Sequence, residues 1–303
     1  TFEIDRIDSQ GKSVGSPVGK EKVLLRPYWI GKYEITMQQF APYRRLYHQQ
    51  RKAEASGTRG TDDPTEVDAV TGPTEIYDVA FHFEYAEHPD SPAPTASQFA
   101  TRQYTKYLSL LTGVEYRLPL RSEWQHACLA GSRTKYHFGD DPQLLDRFAV
   151  FSGESPDEVR ALKVGSKQAN AWGLHDVHGN LSEFVIEDTA TRGLAYGHVA
   201  CGGNWMSDAA ACTYDSFIRT DVSWWDEDHE FPPSCWWMTS DEARATGFRI
   251  FAPLDPMSNE QKRIYWDPDS DQLAEHLQMR IEGGRGSVGR VKRFRATTRR
   301  VGP

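Results

Sequence analysis

Between Tyr136 and Pro253 the chain holds no helical or alternating apolar period for more than a few residues, and the segment is rich in Gly, Trp, Asp and Asn. This constrains the fold more than any single motif does. A stretch without period supplies neither long helices nor a continuous sheet. It has to be held by turns, short strand pieces and large side chains. Nine tryptophans, with aromatics at 12% against 38% apolar residues in all, point to a core built on rings rather than aliphatic chains. A length of 303 residues is enough for one large or two ordinary domains. The fold class read from this pattern is α+β with little regular structure.

Regular pieces are confined to the flanks. Residues 21–35, EKVLLRPYWIGKYEI, have strand composition, with Pro27 marking an edge or bend. Thr36 reads as an N-cap for a helix through Phe40, Tyr43, Leu46 and Tyr47 that Pro42 should kink or shorten. Residues 49–75 read as a long loop. The clearest helix spans 96–111, with Ala100, Tyr104, Tyr107, Leu108 and Leu111 on one face and Gly113 at its end. A short strand around Tyr116–Leu118 leads to Ser122, read as the N-cap of a helix that turns Trp124, Ala127 and Cys128 inward. The main domain is read as 1–253, followed by a polar, then basic extension over 254–303.

No run of about 18 apolar residues is present, so no transmembrane segment is expected. The opening TFEIDRIDSQ does not have the form of a signal peptide. Four cysteines, Cys128, Cys201, Cys212 and Cys235, form no CxxC pair, which excludes a zinc ribbon or a thioredoxin motif. Disulfides Cys201–Cys212 or Cys212–Cys235 and buried free thiols both remain open, with Cys128 read as a buried thiol. The net charge of −8 hides an asymmetry, because the segment from Met279 to Pro303 carries +7 and the rest of the chain −15.

The stretch GLHDVHGNLSEF, Gly173–Phe184, concentrates two histidines, two carboxylates and an asparagine. It belongs to an ordered series: YWIGKYEITMQQF, YLSLLTGVEYRLPLRSEWQHACLAG, YHFGDD, NAWGLHDVHGNLSEF, CGGNW and GFRI. In order and spacing, over about residues 20–253, these blocks resemble the signature blocks of the formylglycine-generating enzyme (sulfatase-modifying factor) family. The resemblance implies a single domain of that type, related to C-type lectin folds and often carrying bound Ca²⁺.

Carried over by position, the resemblance implies a calcium site with Asp176 and Glu183 as side-chain ligands and Gly179 and Leu181 as carbonyl ligands. The donor set suits calcium, which takes six to eight hard oxygens. His175 and His178 are read as packing or hydrogen-bonding residues. A second calcium site of the family falls on RFAVFSGESPDEV, where only Asp157 or Glu158 is available and no site is assigned. The family's oxidase chemistry uses two cysteines that bind Cu(I), for which soft thiolates are suited. With Arg219 matched to the family arginine, those two positions are Ala211 and Ser216, and Cys212 is one residue away. Copper is therefore not expected. The iron-binding histidines of related carbon–sulfur-bond-forming enzymes have no counterpart; His82 and His88 do not supply the pattern.

Two further features stand outside the blocks. The insert over 222–246 sets Trp224, Trp225, Trp236 and Trp237 around Asp226, Glu227 and Asp228. It reads either as a binding groove, with Arg219 beside it, or as a surface loop whose rings cover the core. The basic tail, with Arg285, Arg290, Lys292, Arg293, Arg295, Arg299 and Arg300, is read as docking on the acidic body or on a protein partner or second copy; no specific nucleic acid is expected. Together these readings point to a catalytically silent domain, a binding or structural subunit of a larger assembly in the periplasm, the cell envelope or the extracellular space. The alternative is a copper-dependent formylglycine-generating oxidase acting on a substrate-protein cysteine.

Overall fold

The computed structural model describes residues 2–4, 21–57, 63–76, 82–83, 86, 88–152, 160–188, 197–226, 228, 231–291 and 293. In chain order the elements are β1 (Phe2–Ile4), β2 (Glu21–Val23), β3 (Tyr28–Ile30), α1 (Met37–Arg44), α2 (Leu46–Ala55), β4 (Ala69–Gly72), α3 (Gln98–Thr112) and α4 (Arg121–Leu129). There follow β5 (Ser182–Phe184), β6 (Val199–Cys201), β7 (Phe217–Arg219), β8 (Thr246–Gly247), β9 (Phe251–Pro253), α5 (Asn259–Trp266), α6 (Asp271–Glu282) and β10 (Ser287–Arg290). Among the described residues between α4 and β5 no helix or strand forms apart from one 3-10 turn over Pro142–Arg147, in keeping with the missing period.

The strands among the described residues are short and lie in four small sheets. Three are antiparallel pairs, β1–β2, β3–β9 and β4–β10; the fourth runs β7–β6–β5–β8, with β8 parallel to β5. The core is held by rings: Phe40 lies 5.3 Å from Tyr104 and 5.7 Å from Phe248, and Trp237 meets Phe40 edge-on at 6.2 Å. Such tilted and edge-on contacts satisfy the ring quadrupoles.

Local signals place the helix ends well. Thr36 caps α1 in a capping box with Gln39, and Gly113 ends α3 in the left-handed region at φ 79°. The helix predicted from Thr36 breaks at Arg45, three residues after Pro42, and restarts as α2. Several readings need correction. The supposed loop 49–75 contains the end of α2 and strand β4. The strand at Tyr116–Leu118 is a single bridge, Arg117 to Phe251. Ser122 is not the N-cap of α4; Leu120 holds that place, its N–H bonded to the Glu123 carboxylate at 2.7 Å.

The C-terminal segment packs onto the body over residues 254–291. Trp266, Leu273 and Leu277 are buried in the body, and β10 completes the sheet with β4. The reason lies in α3. Its polar side, Arg102, Gln103 and Lys106, is buried as fully as its apolar side. Arg102 pairs with Asp269 at 3.1 Å, Lys106 with Asp267 at 3.2 Å, and the Gln103 amide donates to Trp266 O at 2.7 Å. Helix α5 and the turn after it thus cover a face that periodicity assigns to solvent. Among the described residues no helix is long and apolar enough to cross a membrane.

Candidate functional site

The loop Gly173–Phe184 is a tight, hydrogen-bonded turn with two non-glycine residues in the left-handed region, Asp176 at φ 62° and Asn180 at φ 63°. Asn and Asp tolerate that region because their short polar chains bond locally. Asn180 makes the most of it. Its N–H donates to Val150 O, its side-chain N–H to the Glu34 carboxylate at 2.7 Å, and its side-chain oxygen accepts from Leu162 N at 2.8 Å. Leu181 N donates to the other Glu34 oxygen at 2.9 Å. Gly179, at φ 155°, lies so close to Val150 that a Cβ would stand 2.4 Å from its carbonyl oxygen. Only glycine fits there.

Behind the loop four ionisable groups meet out of water. Arg249, from the GFRI block, grips Glu183 with two guanidinium nitrogens, Nε at 2.5 Å and a second NH group. Trp124 Nε1 donates to the same carboxylate at 2.7 Å. The remaining Arg249 donors reach the carbonyls of His175 at 2.9 Å and Gly31 at 3.0 Å. Asp176 accepts from Gly165 N at 2.7 Å. Glu34, Asp176 and Glu183 are thus three buried acids around one guanidinium. Burial, reinforced by the neighbouring Asp176 and Glu183, holds the Glu34 carboxyl well above its usual range. Burial also raises Asp176. Burial opposes the charge of Arg249, but Glu183, Glu34 and Asp176 outweigh it and keep the guanidinium charged.

Calcium with Glu183 as a ligand does not fit this arrangement. Both Glu183 oxygens are taken, and an ion bound there would face a guanidinium. Among the described residues no three His, Cys, Asp or Glu side chains converge so as to hold a metal ion. Asp176, Gly179, Leu181 and Glu183 are instead parts of the knot that ties the loop to the segment after β3, to α4 and to the segment between β8 and β9. Asp157 and Glu158 lie outside the described residues.

His178 is buried behind Tyr136 and Phe138. Its Nδ1–H donates to Cys212 O at 2.8 Å, and its Nε2 accepts from His137 N at 3.1 Å. Burial lowers its pKa to about 3, and that of His137, stacked on it at 5.1 Å, to about 4. Both imidazoles are neutral structural groups.

The segment that would carry copper thiolates opens on a cavity of about 690 Å³ lined by Tyr136, Asp140, Asp208, Thr213, Asp215 and Ser216, among others. Ser216 Oγ lies 2.6 Å from Thr213 Oγ1 and 3.2 Å from Ala210 O, so the turn at 210–211 and Ser216 do meet. The donors there are hydroxyls and carboxylates. Cys212 packs inward with Tyr136, Leu145 and Ala149. All four cysteines are free and buried, so neither disulfide read from the sequence forms. Burial pushes the thiols of Cys201, Cys212 and Cys235 up to about 12 and raises Cys128 strongly as well. That is the reverse of what thiolate chemistry needs.

The Trp insert is core, not groove. Trp224, Trp225, Trp236 and Trp237 are each at most 7% exposed. Three of the ring N–H groups are spent internally: Trp225 on Ser234 O, Trp236 on Thr71 Oγ1 and Trp237 on Thr74 O. Arg219 is held by Glu187, bidentate, and by Gly197 O, and joins no Trp platform. In the basic segment, Arg290 pairs with Glu66 and Asp68, Arg285 donates to Phe231 O, and the Arg293 guanidinium lies against Gly113 at the C-terminal end of α3. Lys292, Arg295, Arg299 and Arg300 lie outside the described residues.

Glu34 and Arg249, the two residues that organise the knot, carry no role in the sequence pattern. Both stand inside quoted blocks, KYEIT and GFRI, where a charged residue amid apolar neighbours was the available signal.

The sequence matches the sulfatase-modifying factor enzyme 1-like domain over residues 2–232, more than half of the chain. The chain belongs to this family. It is 22% identical over 221 residues to a protein named Chaperone protein LppX from Paenibacillus barcinonensis, covering 65% of this chain and 75% of that relative. Its fold is similar to that of PvdO from Pseudomonas aeruginosa, with a TM-score of 0.54 at 19% identity over 84% of this chain and 90% of that one. It is also similar to the fold of CarF, with a TM-score of 0.51 at 19% identity over 84% and 95%. At these identities the two structures establish a shared fold, the formylglycine-generating-enzyme-like and C-type-lectin-like one.

Proposed function

We propose that this member of the sulfatase-modifying factor family is catalytically silent and acts by binding, as a structural or recognition subunit of an assembly in the periplasm, the cell envelope or outside the cell. One observation carries the reading: Ala211 and Ser216 stand where the family resemblance calls for copper thiolates, beside a cavity whose donors are hard oxygens. The depressed acidity of all four buried thiols supports it, since no cysteine is poised to replace the missing pair. Similarity to a protein named as a chaperone favours a polypeptide as what is bound.

Cu(I) titration of the reduced chain, together with incubation of a CxPxR peptide under oxygen, tests this. The expected result is no stoichiometric tight copper binding and no aldehyde in the peptide. Tight one-to-one binding with conversion of the peptide cysteine would establish the oxidase instead. Introducing Ala211→Cys with Ser216→Cys should raise copper affinity sharply; an unchanged affinity would sink the alignment of those two positions.

A further inference from the structure

Strand β3 has one paired edge and, among the described residues, one open edge. Gly31 N donates to Ile250 O at 2.8 Å, Leu254 N donates to Pro27 O at 3.4 Å, and Trp29 stands opposite Ala252. Backbone groups alternate in direction along an antiparallel strand. Pro27, Trp29 and Gly31 therefore face β9, while Tyr28 and Ile30 turn their N–H and C=O groups outward. Among the described residues no strand pairs with that outward edge.

The open edge borders a groove of about 750 Å³ whose opposite wall is His126 with the turn Trp172–Leu174. Trp29 is 71% exposed and Trp172 49%, two of the largest apolar surfaces the described residues offer to water. The wall is fixed in place: Trp172 meets His126 edge-on at 4.9 Å, and His126 Nδ1 lies 2.9 Å from the Tyr28 hydroxyl. Arg26 and Lys32 also line the groove, one on each side of β3 in the sequence, and Arg26, 80% exposed, pairs at 3.0 Å with Asp255, which is 67% exposed.

Open strand edges are normally covered, shortened or charged. This one is bordered by aromatic rings and two cations. An extended peptide at the usual strand spacing of about 4.8 Å would take up the backbone groups of Tyr28 and Ile30. Its alternate side chains would meet Trp29 and Trp172, and Arg26 and Lys32 would favour acidic residues along it. A sugar can stack on the rings but leaves the backbone groups of the strand to water.

We propose that the open edge of β3 docks an extended, acidic segment of another polypeptide as an added strand. This deepens the binding reading above but fails separately from it, because the groove shares no residue with the cavity at Ser216.

The test is to pan a library of random 12-residue peptides on the folded chain, with the Trp29→Ala/Trp172→Ala chain as counter-selection, since both rings are largely exposed. Acidic sequences should be enriched. Synthesised, they should slow amide exchange at Tyr28 and Ile30, and lose at least tenfold in affinity on N-methylation of alternate backbone amides or on Arg26→Glu with Lys32→Glu. Failure to enrich any sequence over the counter-selection would overturn the proposal. So would peptides that bind equally well after N-methylation, or chitin oligosaccharides that quench Trp29 where no peptide does.

Discussion

Replacing Arg249 by Met removes the one cation in a site that holds Glu34, Asp176 and Glu183. Arg249 and Glu183 are both essentially inaccessible to water, and the guanidinium satisfies two carboxylate oxygens and at least two backbone carbonyls. Stripping one partner from a buried pair costs about 3–5 kcal/mol, because the other charge stays behind. For a domain of this size that is a fall in melting temperature of roughly 10 °C. The pH dependence gives the sharper test. Without Arg249, Glu34 and Asp176, both already raised by burial, rise further above their unfolded values of about 4. A carboxyl raised by folding contributes stability below its unfolded pKa and loses it as pH rises through the folded one. The deficit relative to the parent should therefore be small near pH 4.5 and full at pH 7.5. Urea unfolding of both chains across that range measures it, with Arg249→Met/Glu183→Gln as the second corner of a cycle, expected to recover part of the loss. A deficit under about 1 kcal/mol at pH 7.5, or one that does not change with pH, would refute the account of the knot.

Three further outcomes follow from the same geometry. Chelation with EGTA should leave the melting temperature unmoved, because Glu183 is occupied; an ion present at 100 times its dissociation constant contributes about 2.7 kcal/mol, so a drop of several degrees would restore calcium to the loop. His178, with its pKa lowered by burial to about 3, destabilises the fold as pH falls from the unfolded value of about 6.5 towards 3. At pH 5 this amounts to about 2 kcal/mol; His178→Gln, which can still accept from His137 N and donate to Cys212 O, should flatten that acid limb in thermal melts. Truncation after Leu254 should yield insoluble protein, since it uncovers the Arg102 and Lys106 face of α3; a soluble, cooperatively melting fragment would show that α5 and α6 are dispensable.

Much of the site lay in the blocks themselves. The spacing of KYEIT, GNLSEF and GFRI places Glu34, Asn180, Glu183 and Arg249 in the chain, but not against one another. One carboxylate can bind a cation or a guanidinium, and position along the chain does not distinguish them. Glu183 was read as a calcium ligand for that reason. The Trp insert shows the same limit. Trp next to Asp has the composition of a binding groove, yet with ring N–H groups bonded to Thr71, Thr74 and Ser234 it has the structure of a core.

What the sequence determined alone was local or cumulative: the caps at Thr36 and Gly113, the aromatic composition of the core, the family and its irregular α+β fold, and the absence of thiols at 211 and 216. These depend on neighbouring residues or on counts. The tertiary structure decided everything that depends on which charge meets which. It placed Arg249 on Glu183, put Asp267 and Asp269 over the polar side of α3, and left the outer edge of β3 without a pairing strand among the described residues, beside two exposed tryptophans. Those pairings join residues more than 60 positions apart, over distances at which a pattern along the chain carries no record of the partner.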